Sequence, residues 1–222
     1  SYAFSQCGFD GTLRLPSEIK SIESDCFNSC KSFRGDLVIP EGVTGIGSNA
    51  FTSCGFDGVL MLPQSLTAID DYAFSHCAKL CGTLAIPSGV TYIGAAAFSG
   101  CRSFSGLELP EGLEVICEKT FNGCSSMTGE LKLPKGLKLI GNMAFSTTGF
   151  TGRLVLPDGV ISIGESSFSY CDKLTGISVP ASLEHIPDRT FYSCSTLTDD
   201  VVIPDGVYSV GEGAFYKCSG IG

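Results

Sequence analysis

The feature that most constrains the fold is a unit of 23 or 24 residues that repeats along the whole chain. Nine prolines recur at this spacing, and each is followed eleven positions later by a phenylalanine. The prolines are Pro16, Pro40, Pro63, Pro87, Pro110, Pro134, Pro157, Pro180 and Pro204, and the phenylalanines are Phe27, Phe51, Phe74, Phe98, Phe121, Phe145, Phe168, Phe191 and Phe215, with Phe4 as a tenth copy. A coil this short cannot bury its own apolar positions, so equivalent side chains of successive coils must stack into one core.

Each unit carries a pattern that predicts its local structure. Apolar residues alternate before the proline, as in residues 60–62, which is typical of a strand. Glycine stands two positions after the proline in six of nine copies, which predicts a turn. An apolar pair spaced by three follows, as at Val90 and Ile93, and then an Ala-Phe pair, which we interpret as a short helical turn.

The repeat predicts one elongated domain over residues 1–222 with no linker. We expect a mostly β solenoid of about nine to ten coils, with short parallel strands, turns and short helical segments, and with both ends in mid-repeat. Length differences of one residue always fall between the phenylalanine and the next proline, so the proline-to-phenylalanine half is expected to be the rigid part.

A cysteine stands three residues after the phenylalanine in nine of ten copies, with Thr148 as the exception. These cysteines are Cys7, Cys30, Cys54, Cys77, Cys101, Cys124, Cys171, Cys194 and Cys218. Side chains at one repeat position form a column, in which parallel Cβ vectors are poorly placed for disulfides and four metal ligands cannot converge. We therefore expect a structural column of reduced thiols, with Cys26, Cys81 and Cys117 outside it.

No residue cluster indicates catalysis. His76 and His185 lie more than four repeats apart, which excludes a two-histidine metal site or a histidine-based triad within one coil neighbourhood. Acidic residues occur singly in turns, and the glycines follow the repeat instead of forming a phosphate loop. We predict a non-enzymatic chain with no cofactor and no metal.

Charge and hydropathy constrain the partners. The net charge of −9 repels nucleic acid and anionic lipid, and no apolar run approaches the roughly 18 residues of a membrane span. We expect no nucleic-acid partner and no membrane insertion in this segment.

A binding surface is expected at the outward position of each strand. These positions hold Arg14, Val38, Met61, Ala85, Glu108, Lys132, Val155, Ser178 and Val202. Five of the nine are apolar, which is unusual for a solvated strand and favours contact with a partner. A surface filled by strand-forming residues is an equal alternative. A second row, formed by Tyr92, Val115, Leu139 and His185, competes for the role.

The unit Leu-x-Leu-Pro-x-Gly-Val-x-x-Ile-Gly-x-x-Ala-Phe-x-x-Cys resembles the leucine-rich repeat of BspA-like surface proteins, also called the Treponema pallidum type. Residues 84–101 and 37–54 are its best copies, and the resemblance covers the whole chain. It implies an extracellular or cell-surface protein that adheres to protein or glycan ligands on host, cell or matrix. Departures at Thr148, Pro187 and Asp200 are expected to mark irregular coils.

An alternative function is structural. Uncapped solenoid ends expose strand edges and core side chains, so copies of the chain can stack end to end into fibres as a homo-oligomer. That the chain is a fragment of a longer protein explains such ends equally well.

Overall fold

The computed structural model describes residues 2–199 and 201–220. In this part the chain winds into stacked coils that carry fifteen short strands. The strands are β1 (Ser21–Ile22), β2 (Leu37–Val38), β3 (Gly45–Ile46), β4 (Leu60–Met61), β5 (Ala68–Ile69), β6 (Gly82–Ala85), β7 (Tyr92–Ile93), β8 (Phe104–Glu108), β9 (Val115–Ile116), β10 (Leu139–Ile140), β11 (Gly152–Val155), β12 (Ser162–Ile163), β13 (Leu174–Ser178), β14 (His185–Ile186) and β15 (Ser209–Val210). All pairings are parallel, which confirms the predicted mostly β repeat solenoid.

The strands that precede the prolines form the front sheet of the solenoid. They pair in couples, β2 with β4, β6 with β8 and β11 with β13. In the second couple Gly82 lies opposite Phe104 but Thr83 lies opposite Gly106, so Ser105 is skipped in the register. The third couple has the same irregularity. These shifts fall in the segment whose length varies between repeats.

A second sheet, the back sheet, follows the prolines. Its strands pair in the orders β1-β3-β5-β7, β9-β10-β12 and β14-β15. The register places Ile22 opposite Ile46, then Ile69 and then Ile93, so each isoleucine packs beside its equivalents. The sequence predicted an apolar pair here but not a strand.

The segment around each phenylalanine is not the short helical turn that the sequence predicted. Residues two before and two after the phenylalanine have positive φ, for example Asp25 at 59° and Ser29 at 62°. Left-handed residues interrupt the right-handed conformation that a helix requires. Instead, successive backbone N–H groups donate alternately to the next coil and within their own turn. Phe27 N–H donates to Ala50 O of the next coil at 2.8 Å, whereas Asn28 N–H donates within its own turn.

The repeat phenylalanines stack face to face as a ladder through the core. Adjacent ring centroids are 5.2–5.8 Å apart and the ring planes differ by 5–18°. The ladder runs without interruption from Phe4 to Phe215. Successive coils therefore superpose in register, as the repeat predicted.

A second apolar column packs against the ladder and was not predicted. It consists of Phe9, Phe33, Phe56, Leu80, Phe104, Met127, Phe150, Leu174 and Leu197. Its rings meet the ladder edge to face, as Phe51 and Phe56 do at 6.3 Å and 70°. The column closes the core on the side where each coil returns to the front sheet.

Two of the departures from the repeat leave the coils regular. Around Thr148 the rings of Phe145 and Phe168 stack at 5.4 Å, and around Pro187 those of Phe168 and Phe191 stack at 5.7 Å. The expectation of irregular coils is therefore wrong at both positions, because neither side chain displaces the ladder. The third departure, Asp200, lies outside the described residues.

Candidate functional site

Six of the nine candidate residues lie on the outer surface of the front-sheet strands, whereas Arg14, Lys132 and Val202 occupy the equivalent repeat positions in coils whose described residues form no front strand. All nine side chains, from Arg14 to Val202, are exposed, and we call them the front row. Their chain neighbours point the other way: Leu37 and Ile39 are buried on either side of Val38. The alternation of the strand thus separates core from surface in this coil, whereas Ile203, beside Val202, is itself 36% exposed.

Apolar members of the front row are among the most exposed hydrophobic side chains of the described residues. Val38 and Met61 are each 47% exposed and lie opposite one another in the register of β2 and β4. Val155 is 55% exposed and Val202 is 70% exposed. Isolated exposed apolar residues are common, but a row of them on one rigid face favours a contact surface.

A depression of about 520 Å³ interrupts the front row between the coils of Lys132 and Val155. Lys132, Lys135 and Arg153 line it together with apolar side chains. Arg153 donates to the carboxylate of Asp199 at 2.8 Å. The carboxylates of Glu130 and Asp158 also line the depression, so its two lysines are balanced by two acidic residues.

The competing row lies on the back sheet, and we call it the back row. Tyr92, Val115 and Leu139 are 45%, 40% and 38% exposed, and His185 is exposed as well. Burial and the nearby Asp71 carboxylate raise the pKa of Tyr92. The front and back rows are on different sheets, so they are separate candidate surfaces.

The cysteine column lies inside the solenoid and is tied to the phenylalanine ladder. Eight of its thiols donate to the carbonyl oxygen of the phenylalanine in the preceding coil, at 2.9–3.2 Å. All twelve cysteines of the chain are free thiols. Burial raises the pKa of Cys77 and Cys124 to about 12 and that of Cys171 to about 11. Protonated thiols of this kind are poor nucleophiles and poor metal ligands.

Thr148 replaces the thiol in one coil and bonds differently. Its hydroxyl donates to Phe145 O of its own coil at 2.8 Å, and its Oγ1 lies 3.2 Å from the Sγ of Cys171. Outside the column, Cys26 and Cys117 are half-buried and burial raises the pKa of each. Cys81 donates to Gly58 O at 3.4 Å.

Within residues 2–199 and 201–220, no three or more histidine, cysteine or acidic side chains are grouped so that they could hold a metal ion. The same residues include no helix of the length and hydropathy that a membrane span requires.

Solved structures share this fold over nearly the whole chain. A leucine-rich repeat protein from Bacteroides ovatus ATCC 8483 is 26% identical with a TM-score of 0.71, and the match covers 99% of this chain and 61% of that one. A leucine rich cell surface protein from Faecalibacterium prausnitzii A2-165 is 25% identical with a TM-score of 0.62, covering 99% and 67%. The T. pallidum leucine rich repeat protein is 27% identical with a TM-score of 0.62, covering 91% and 82%.

The chain thus spans 61% of the length of its Bacteroides ovatus relative. No curated protein matches it significantly. The family described as BspA type leucine rich repeat region matches residues 1–128 and 91–222, which together include every coil. The chain belongs to the BspA-type leucine-rich-repeat family.

Proposed function

We propose that the chain is a non-enzymatic protein-binding module of a secreted or cell-surface protein and that the front row contacts the partner. The family supports a protein-binding role, and the Faecalibacterium prausnitzii relative is described as a cell surface protein. The observation that carries the proposal is the exposure of Val38, Met61 and Val155 on strands in which the leucine before each of them is buried.

The rigidity of the front row favours binding. Its side chains stand on strands held by a continuous core, so little conformational entropy is lost when a partner docks. Apolar side chains that are about half exposed gain roughly 25 cal/mol for each Å² that a partner covers.

A matched pair of double variants tests the proposal. The intact chain is immobilised and binding of purified extracellular-matrix proteins is measured by surface plasmon resonance. We expect Val38→Asp with Met61→Asp to weaken binding by about 100-fold, because two charges would be buried in the interface. Tyr92→Asp with Val115→Asp on the back row is the control and should bind as the unsubstituted chain does.

Three outcomes would contradict the proposal. The first is that the unsubstituted chain binds no protein of the panel, the second is that both double variants bind normally, and the third is that only the back-row variant loses binding. Circular dichroism of each variant excludes loss of the fold as the cause.

End-to-end association is a second candidate. Phe4 and Phe9 are 42% and 47% exposed, and they border an apolar cavity of about 580 Å³ in the first coil. A further coil would cover these side chains, whether it comes from a longer chain or from another copy. Sedimentation velocity over a concentration series tests this candidate: growth with concentration supports self-assembly, and a constant monomer mass contradicts it.

A further inference from the structure

Three tyrosines break the repeat at surface positions next to the ladder. Directly after the ladder phenylalanine, eight coils have a small polar residue, namely Ser5, Asn28, Thr52, Ser75, Ser99, Asn122, Ser146 and Ser169. The last two coils have Tyr192 and Tyr216 there. Tyr170 is the only tyrosine two positions after a ladder phenylalanine. Stacking of the coils does not require these rings, because the other seven coils stack without them.

The three rings come together in space. The centroids of Tyr170 and Tyr192 are 5.4 Å apart with the planes tilted by 58°, and those of Tyr192 and Tyr216 are 5.2 Å apart at 29°. Tyr170 is 52% exposed and Tyr216 is 55% exposed, so both offer ring surface to solvent. We call these three residues the tyrosine cluster.

A surface cavity of about 340 Å³ lies beside the tyrosine cluster. Tyr170, Tyr192, Arg189, Met143, Ser146 and Ser169 line it. This volume is at the lower end of the range for small-molecule sites and suits one sugar ring.

Three buried serines, Ser146, Ser166 and Ser169, line the cavity, and two of their hydroxyls are hydrogen-bonded to each other. Ser146 and Ser169 are 7% and 3% exposed, and their Oγ atoms are 2.9 Å apart. Ser169 donates its hydrogen to Ser166 O at 3.0 Å, so Ser146 must donate to Ser169. The Oγ of Ser146 therefore keeps lone-pair capacity for a ligand hydroxyl.

Positive charge flanks the rings. Arg189 is exposed, and its guanidinium has no salt-bridge partner among the described residues. A Cβ on Gly213 would stand 3.7 Å from Arg189 Cγ and 3.8 Å from Tyr192 Cδ2, so the arginine and the tyrosine are close neighbours. Lys217 Nζ is 5.6 Å from the centroid of Tyr216. Two cations at this place contrast with the net charge of −9.

We propose that the tyrosine cluster and Arg189 form a binding site for an acidic pyranose, a sugar ring that carries a carboxylate. The C–H face of the ring packs on a tyrosine, whose π face is electron-rich. Arg189 holds the carboxylate through paired N–H donors, and Ser146 accepts from a ring hydroxyl. The site is on the turn side of the coils, apart from the front row, and does not depend on the proposed protein-binding function.

Paired ligands and repeat-restoring variants test this site. Sialyllactose and a glucuronate tetrasaccharide are the acidic probes, lactose is the neutral probe, and binding is measured by titration calorimetry on the intact chain. Tyr192→Ser and Arg189→Ser restore residues that the equivalent positions have at Ser169 and Ser166. Tyr72→Ser, at another exposed residue with positive φ, is the matched control.

We expect at least one acidic probe to bind about tenfold more tightly than lactose. Arg189→Ser should lose about tenfold through the missing charged hydrogen bond, and Tyr192→Ser about tenfold through the missing ring contact. The control variant should bind as the unsubstituted chain does. The proposal is overturned if neither acidic probe binds, if lactose binds equally well, or if Tyr192→Ser and Arg189→Ser, folded by circular dichroism, retain full affinity.

Discussion

The thiol of Cys77 donates to the carbonyl oxygen of Phe51 in the preceding coil at 2.9 Å, and both side chains are completely buried. The same carbonyl also accepts the backbone N–H of Cys54 at 3.1 Å. The carbonyl oxygen of Phe51 thus accepts one hydrogen bond within its own turn and a second one from the thiol of the next coil. Repetition of this contact explains why the column prefers cysteine, which is small, apolar and still able to donate.

The first prediction concerns thiol reactivity. Cys7, Cys26, Cys81 and Cys117 are half-buried, whereas the other eight cysteines are buried. With iodoacetamide at pH 8 we expect the four half-buried thiols to react within minutes and the eight buried ones only after unfolding in urea. Peptide mass spectrometry locates the labels. Fast labelling of Cys101 or Cys124 in the native chain would contradict the buried column.

The second prediction is a loss of stability at alkaline pH. Burial raises the pKa of Cys77 and Cys124 to about 12, so the folded state holds protons that the unfolded state releases earlier. Their contribution is complete below the pKa of an unfolded thiol, near 8.5, and is lost as the pH rises toward 12. The urea midpoint should therefore fall steadily between pH 8.5 and 10.5.

A single substitution isolates this effect from other titrating groups. Cys77→Thr places at this position the residue that Thr148 already provides in the column. We expect the pH slope of the unfolding free energy to decrease by up to about 1.4 kcal/mol per pH unit, the value for one proton. An unchanged slope would show that Cys77 does not titrate differently on folding.

The third prediction concerns backbone strain in the turns. Thr147 is a β-branched residue with a φ of 59°, and the equivalent position two coils earlier is Gly100. Thr147→Gly should raise the free energy of unfolding by about 1 kcal/mol, because left-handed conformation is costly for side chains with a Cβ. Urea denaturation measures the change.

The reverse substitution is available in the coil before Thr147. A Cβ on Gly123 would come no closer than 3.7 Å to its neighbours, so space is sufficient and only the backbone conformation opposes a side chain. Gly123→Thr should lower the free energy of unfolding by about 1 kcal/mol or more. If both changes shift stability in the same direction, strain at these positions is not the cause.

The fourth prediction tests the close approach of the coils. A Cβ on Gly94 would lie 2.4 Å from the backbone nitrogen of Asp71, which neither coil can accommodate without moving. We expect Gly94→Ala to destabilise the chain by about 2 kcal/mol or more, since overpacking cannot relax through a flexible side chain. Thermal denaturation followed by circular dichroism measures it.

Gly112→Ala is the matched control. No heavy atom lies within 4 Å of a Cβ built at this glycine. The substitution should change the free energy of unfolding by less than about 0.5 kcal/mol. A large effect at Gly112, or none at Gly94, would contradict the coil spacing described above.

The sequence predicted the stacked phenylalanines, the column of cysteines and the front strands because these positions keep one residue type and one spacing. In the described residues, however, no strand forms directly before Pro16, Pro134 or Pro204. The back sheet was not predicted, since strands of two residues such as Tyr92–Ile93 are too short to show alternation. The column of Phe33, Phe56 and their equivalents was also missed. Its residue type varies, and its distance from the ladder changes between five and six positions.

The turn segment was mistaken for a helix for a physical reason. Phe98 and Cys101 are three residues apart, and that apolar spacing occurs both in helices and in consecutive turns. The left-handed φ of Ala96 has no signature in its residue type, because alanine strongly favours helices. Among the candidate sites, the front row followed from strand alternation. The tyrosine cluster required knowing that its three rings meet.

Backbone hydrogen bonds join each coil to the coil before it and the coil after it, and the stacked phenylalanines recur at successive junctions. Under tension along the axis, such a chain gives way at one junction at a time instead of failing as a whole. Each released coil of 23 residues would add roughly 80 Å of extended chain. A surface protein with this architecture can lengthen under flow while the coils that are still folded stay bound to a partner.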